Sequence, residues 1–412
     1  MIRSMSSAIS GMKNHQLMLD VISNDISNVS TSGFKASNVV FSDVLSQTLT
    51  AGDPNGVVAG TNPSQVGLGA RLAATTQSFS QGALQRTGRS TDMAIEGEGF
   101  FVVSNGTEQI YTRGGALSLD ASGNLATTDG NFVMGWQADA TGALDSTGQI
   151  TRLNVPVGSS LAPSQTANVA LSGNLSAAAA VGAVVTNSMT GYTAQGATVQ
   201  INLTYTKSAA NEWTVTGSHG SPATAVTLTD NVLQFGTNGE ITAPADRTIN
   251  VAAGQIPGIT GAVTFDLGTA GAVNRVTQFG STSTVGIVSQ DGSLAGSLQS
   301  FAVSAGGAIQ GVYSNGKTMT IGQVALALFT NPQGLERVSG GWRETGNSGI
   351  AQVAPASAGG RGKISAGTLE MSNVDLAEEF SRLIVAQRGF QGNARVISAS
   401  DEILQEVVRI GR

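Results

Sequence analysis

The sequence predicts a mainly β protein with terminal α-helices: the N- and C-terminal helices are paired as a coiled coil, with two nested antiparallel β domains between them. Three observations carry this. Both ends show apolar residues alternating three and four apart. The middle shows short alternating runs separated by turn signals. Glycine is abundant, with 54 of 412 residues, while charge is scarce at 12% against an ordinary share of roughly 25%.

At the N-terminus, Met5, Ala8, Met12, His15, Leu19, Ile22, Ile26 and Val29 form a heptad stripe that is apolar except at His15, the pattern of one amphipathic helix. Ser30-Thr31-Ser32-Gly33 stops it, with Gly33 suited to a left-handed C-cap. Residues 1–33 are expected to join 370–412 in one helical domain. Residues 34–75 read as an extended connector, with Gly and Pro punctuating a loop from Ala51 to Gln65.

Residues 76–150 with 285–365 read as a β domain. Phe100-Phe101-Val102-Val103, Leu117-Ser118-Leu119 and Phe132 to Trp136 are strand-like, with turns at Asp120–Asn124 and Asp129-Gly130. The same texture returns from Phe301 to Trp342. Residues 151–284, rich in Ala, Thr, Val and Gly, read as a second β domain inserted into the first, with Val199–Tyr205 and Trp213–Thr216 as strands.

The last helix opens with Ser372 and Asp375, spaced as a capping box. Leu376, Phe380, Leu383, Gln387, Phe390, Ala394, Ile397, Asp401, Leu404 and Val408 then alternate four and three, and Ile403, Val407 and Ile410 widen the stripe. No other helical pattern exists for either end to pack on. A bare helix pair leaves apolar surface exposed, and such surface marks an assembly interface. The expected interface residues are Met5, Met12, Leu19, Ile22, Ile26, Val29, Leu376, Phe380, Leu383, Phe390, Ile397, Leu404 and Val408.

Composition narrows the function classes. A net charge of −6 without a basic stripe argues against nucleic acid. The absence of Cys removes disulfides, thiolate metal sites and Cys nucleophiles. The first residues have no contiguous apolar core of a cleavable signal, and no run reaches the roughly 18–20 apolar residues of a membrane span. The expectation is no membrane insertion, and either a cytoplasmic place or export by a route other than a cleavable signal peptide.

No motif points to an enzyme, a cofactor or a metal. Gly311-Val-Tyr-Ser-Asn-Gly316-Lys317-Thr318 fits the phosphate-loop expression, but a strand-like pattern follows it where a helix is needed. Gly67-Leu-Gly69 and Gly97-Glu-Gly99 lack a third glycine. Asp120, Ser122 and Asn124 lack the carboxylates of a calcium loop. His15 falls in the helix seam, and His219 in a small-residue loop with no orienting partner.

Four stretches together carry a resemblance. Val21-Ile-Ser-Asn-Asp-Ile-Ser-Asn-Val-Ser-Thr-Ser-Gly-Phe-Lys35 resembles the N-terminal signature of the flagellar rod and hook family of axial proteins. Ser372-Asn-Val-Asp-Leu-Ala-Glu-Glu-Phe380, Gln387 to Arg395 and Asp401 to Leu404 resemble its C-terminal signature. Thr91 to Phe101 with Tyr111-Thr-Arg-Gly-Gly115 is similar to its first β-domain motif, and Ile321 to Ala327 with Phe329 to Leu335 is similar to its hook branch. Gly389 and Gly392 stand where bulkier residues are common in the family.

The resemblance implies a structural, non-catalytic subunit that polymerises with itself into a helical tube. The inserted domain favours the curved, flexible, torque-transmitting hook branch over the straight rod. It further implies contacts with the rod protein, hook cap, hook–filament junction proteins and flagellar export apparatus, and an extracellular place on the flagellum. Phe41-Ser-Asp-Val-Leu45 is similar to the family's export-gate element, with Phe41 and Leu45 as its apolar positions.

Overall fold

A computed structural model of the chain describes residues 2–50 and 62–410. The loop expected from Ala51 therefore lies outside the described residues as far as residue 61. The rest is mainly β, with one long helix near each end: α1 (Ile2–Ser27) and α2 (Leu376–Ile410).

α1 stops earlier than the apolar stripe suggested, so Val29 lies in the turn beyond it. The Asn28 side-chain amide donates back to the Asn24 carbonyl at 2.9 Å, and Ser27 Oγ donates to the Ser23 carbonyl. Such local side-chain bonds compete with helix continuation. Gly33 does adopt φ +71°, yet it serves a junction rather than a cap: its N–H donates to the Glu370 carbonyl at 2.7 Å. At α2 the cap is Asp375 itself, not Ser372. Asp375 Oδ1 accepts from the N–H groups of Ala377 (2.8 Å) and Glu378.

The segment read as a connector is folded. β1 (Ser37–Asp43), β2 (Ser46–Thr50), β3 (Ser64–Gly67) and β4 (Ala70–Gln77) form two antiparallel pairs, β1 with β4 and β2 with β3. Short runs of β-branched and other apolar residues, such as Val39-Val40-Phe41, Thr48-Leu49-Thr50 and Thr75-Thr76, supply strand propensity that the Gly and Pro signals of the intervening loop concealed.

By its internal contacts the chain divides into two compact units. One comprises Met1–Pro156, Phe301–Gln310 and Met319–Arg412, the other Val157–Ser300 and Gly311–Thr318. The break falls later than residue 151 because Leu153 and Val155 are fully enclosed in the first unit, with the Val155 N–H bonded to the Gly123 carbonyl at 2.7 Å. It extends past residue 284 because the Asp291 carboxylate ties down the N–H groups of Ala167 and Asn168.

In the first unit, Phe100–Ser104 pairs with Gln109–Thr112, and Phe132–Gln137 and Thr318–Leu328 extend the sheet. Its core holds Phe100, Tyr111, Trp136, Phe329 and Trp342, with edge-to-face aromatic contacts such as Tyr111 on Phe329 at 4.8 Å. In the second unit, Val184–Tyr192, Thr198–Ala209 and Glu212–His219 form an antiparallel meander. Along Thr198–Ala209 the residues Ile201, Leu203 and Tyr205 alternate inward onto Trp213, Val215 and Phe265. Within the same unit Asn168–Asn174 runs parallel to Val263–Asp266. His219 ends a strand opposite Ile201 instead of lying in a loop. Residues 311–318 lie in a hairpin: the strand Ala308–Tyr313 ends, residues 314–317 turn with Gly316 at φ +78° and Lys317 Nζ on the Asp291 carbonyl, and a strand starts at Thr318.

Candidate assembly interface

α1 and α2 pack against each other antiparallel: Gly11 faces Asn393, and His15 faces Gly389. The residues buried along this seam are mostly small or polar, namely Ala8, Asn14, Asp25, Glu379, Ala386 and Ser400, with Ile22 the large apolar exception. Asn14 Nδ2 and His15 Nδ1 are enclosed without a hydrogen-bond partner among the described residues. Unsatisfied buried groups of this kind weaken a contact by about 1–3 kcal/mol each.

The apolar side chains of α2 lie largely elsewhere. Phe380 is 51% exposed, Val385 60% and Val408 66%, and Leu376, Ile384, Val396, Ile403 and Val407 are exposed as well. Leu376, Phe380 and Ile384 follow one another at i, i+4 on one side; Val396, Ile403 and Val407 line another. Of the residues expected at the interface, Ile22 is buried in the pair. Met5, Met12, Leu19, Ile26, Leu383, Phe390, Ile397 and Leu404 are half-buried, and Leu376, Phe380 and Val408 face solvent. Val29 belongs to neither helix. Ile384, Val385 and Val396 escaped the heptad reading because they lie off its stripe.

The β1–β4 and β2–β3 pairs also present apolar groups: Val40, Val44, Leu45, Leu49, Val66, Leu68 and Leu72 are exposed. Phe41 is half-buried opposite Leu72 beside a register shift, and Leu45 lies between β1 and β2. β4 packs on α1 closely enough that a Cβ at Gly69 would collide with Ser10 Oγ.

Buried charges join the helices to the β body. Glu370, fully enclosed, accepts from Lys35 Nζ at 2.6 Å, Gly82 N at 2.9 Å and Arg113 Nη1 at 3.3 Å. Lys35 Nζ also donates to the Ser80 carbonyl at 2.7 Å. Burial pushes the Lys35 ammonium and the Arg113 guanidinium down from their ordinary values, and Glu370 opposes the shift in both. Asn373 fastens the same region, accepting from Ala36 N and donating to the Ser78 carbonyl, both at 2.8 Å.

A second cluster sits where α1 meets α2. Asp25 Oδ2 accepts from Ser37 N at 2.9 Å, and Arg382 reaches Asn38 and Glu379. Burial pushes the Asp25 carboxyl up, against that hydrogen bond and the charges of Arg337 and Arg382. Burial raises Glu379 too, with Arg382 opposing and Asp25 adding to the rise. Lys35, Arg113, Glu370 and Asp25 lie inside or beside the segments quoted above for their family resemblance. Sequence spacing gives no sign of their pairing, since Lys35 and Glu370 are 335 residues apart.

Among the described residues no group of three or more His, Asp or Glu could hold a metal ion, and no helix is long and apolar enough to cross a membrane.

Comparison with known proteins follows the same three regions. Residues 5–35 match a model described as flagella basal body rod protein, 94–274 the flagellar hook protein FlgE/F/G D1 domain, and 365–410 the flagellar basal body rod FlgEFG protein C-terminal. The chain is 38% identical to the flagellar hook protein FlgE of Treponema pallidum and 36% to that of Borreliella burgdorferi, over the full length of both partners in each case. It is 30% identical to the flagellar basal-body rod protein FlgG of Bacillus subtilis, again over both full lengths. A crystal structure of Helicobacter pylori flagellar hook protein FlgE2 shares the fold, with TM-score 0.55 at 14% identity, covering 70% of this chain and all of that one.

Proposed function

The chain belongs to the flagellar hook protein family, and from that premise we propose that it works through the exposed faces of its terminal helices. It is a structural subunit of the flagellar hook, located there and built to self-polymerise; its family is one of structural proteins, not enzymes.

The observation that carries the assembly reading is the mismatch in α2. Among its described residues only Glu379, Ala386 and Ser400 are fully buried and Leu383, Phe390, Ile397 and Leu404 are half-buried, while Phe380, Ile384, Val396, Ile403 and Val407 face solvent. Large side chains contribute about 1.5–3 kcal/mol each when fully buried, so covering this surface with further copies of the chain is strongly favourable. The helices then form the inner wall of a curved, flexible tube that transmits torque from rod to filament and encloses the export channel. The exposed apolar residues of β1–β4 extend the same interface.

The second unit, closed on its own core, forms an outer shell whose surface of Ala, Ser, Thr and Gly with scattered exposed residues such as Val181, Val273 and Phe279 slides against neighbours at little cost. Membership of the family supports our reading of the wider setting: an extracellular tube, export without a cleavable signal peptide through the flagellar export apparatus, and contacts with rod protein, hook cap and hook–filament junction proteins. Phe41 and Leu45 act as the export element in the unfolded chain.

Removing 372–412 from the purified chain tests the proposal. Polymer is lost while the second unit keeps its thermal transition; polymer that survives the deletion contradicts it. The full-length likeness to a rod protein supports one alternative, a straight shaft, and electron micrographs decide it: curved tubes support the hook assembly and straight rods sink it.

A further inference from the structure

The seam between α1 and α2 contains two matched notches. A Cβ at Gly11 would stand 2.8 Å from Asn393 Nδ2, and a Cβ at Gly389 would stand 2.4 Å from His15 Cε1 and Nε2. Real Cβ atoms essentially never approach within 3.0 Å, so a methyl group at either glycine obliges the Asn393 amide or the His15 ring, each the end of a side chain, to move. Each helix thus offers one glycine notch and, four residues on, one polar knob: Gly11 and His15 from α1, Gly389 and Asn393 from α2.

One of the two knobs is fixed by a hydrogen bond. Asn393 Nδ2 donates to the carbonyl of Gly389, the residue that forms the other notch, at 3.0 Å. His15 Nδ1 is enclosed without a partner. Gly392, three residues from Gly389, meets nothing within 4 Å, so the notch is specific to one face.

We propose that His15 in the Gly389 notch and Asn393 in the Gly11 notch form a reciprocal lock that sets the register and antiparallel sense of the helix pair, and so prepares the subunit to polymerise. A heptad pattern alone tolerates a slip of seven residues. Such a slip would bring Arg382 or Val396 opposite His15 in place of Gly389, and neither leaves room for the ring. The two glycines are unfavourable in helix interiors; at Gly389 the lock outweighs that cost.

The last clause of the proposal rests on the assembly reading above, so the test has two readouts on the full-length chain: the thermal transition of the helical far-UV signal, and polymer recovered by sedimentation. Gly389→Ala lowers the helical midpoint by about 5 °C and loses polymer. Gly392→Ala leaves the midpoint unchanged or raised and keeps polymer. His15→Ala combined with Gly389→Ala regains the midpoint of His15→Ala alone, because the methyl group then occupies the vacated space. The lock is overturned if Gly389→Ala behaves like Gly392→Ala, if the double variant melts no higher than Gly389→Ala, or if the wild-type chain shows no helical transition. A lowered midpoint with wild-type polymer yield keeps the register lock and overturns its role in assembly.

Discussion

The inserted unit and the terminal helix pair treat their apolar residues in opposite ways. In the unit spanning 157–300 and 311–318, Trp213, Tyr205, Phe265 and Leu233 are fully buried, and strand alternation along Thr198–Ala209 sends Ile201, Leu203 and Tyr205 inward. In α2 the buried stripe is Glu379, Ala386 and Ser400, while Phe380 and Ile403 stay half in water. The first region completes its own core. The second is complete only when another molecule covers it, which is the physical difference between a domain and an interface.

Substitutions in the two regions should therefore read out differently. Trp213→Ala leaves a cavity in the closed core and should cost about 3–5 kcal/mol of the unit's stability, measured by denaturant unfolding, with helix-driven polymerisation retained wherever the chain is still folded. Glu370→Gln should cost about 3 kcal/mol, because Lys35 and Arg113 would stay buried without a counter-charge; it should loosen the helix joint while the inserted unit keeps its own transition. Gly392→Ala should gain about 1 kcal/mol in the helical transition, since its Cβ meets open space, with no change in the inserted unit.

The smallest expected effect is on pH dependence, and it has opposite signs in the two regions. Burial raises Asp25 and Glu379, whose ordinary values are 3.8 and 4.5. Their contribution to stability is full below those values and is lost as pH rises through the raised ones. In the inserted unit, burial opposes ionisation of Asp291, but hydrogen bonds from Asn168 and Ala167 outweigh it and lower its pKa. That contribution is present above 3.8 and is lost as pH falls through the lowered value. Acidification from neutral through the raised values of Asp25 and Glu379 should raise the helical midpoint and leave the inserted unit unchanged as long as the pH stays above 3.8, and Asp25→Asn should flatten the rise.

The legible parts of the fold were those with a local pattern. The heptad stripes gave both terminal helices, a contiguous apolar run between turn signals gave the strand Phe100–Ser104, and alternation gave Thr198–Ala209. The orientation of α2 was legible only in part: of its apolar stripe Leu383, Phe390, Ile397 and Leu404 are half-buried and Leu376, Phe380 and Val408 face solvent, while Glu379, Ala386 and Ser400 are the fully buried positions. Hydrophobic periodicity identifies a face that seeks cover without saying which copy provides it. The Lys35–Glu370–Arg113 cluster was silent because ion pairs between distant segments leave no local pattern. Asp375 was visible only as the far end of a capping box that Ser372 does not form. β1 to β4 were hidden by the Gly and Pro of the loop they flank.

The central claim, that the solvent face of α2 is the assembly surface, is tested most directly by Phe380→Asp and Ile403→Asp in the full-length chain, followed by sedimentation and thermal unfolding. Both side chains are about half exposed, so each variant should keep its folded stability to within about 0.5 kcal/mol and lose polymer. Variants that polymerise like the wild type while folded would contradict the account.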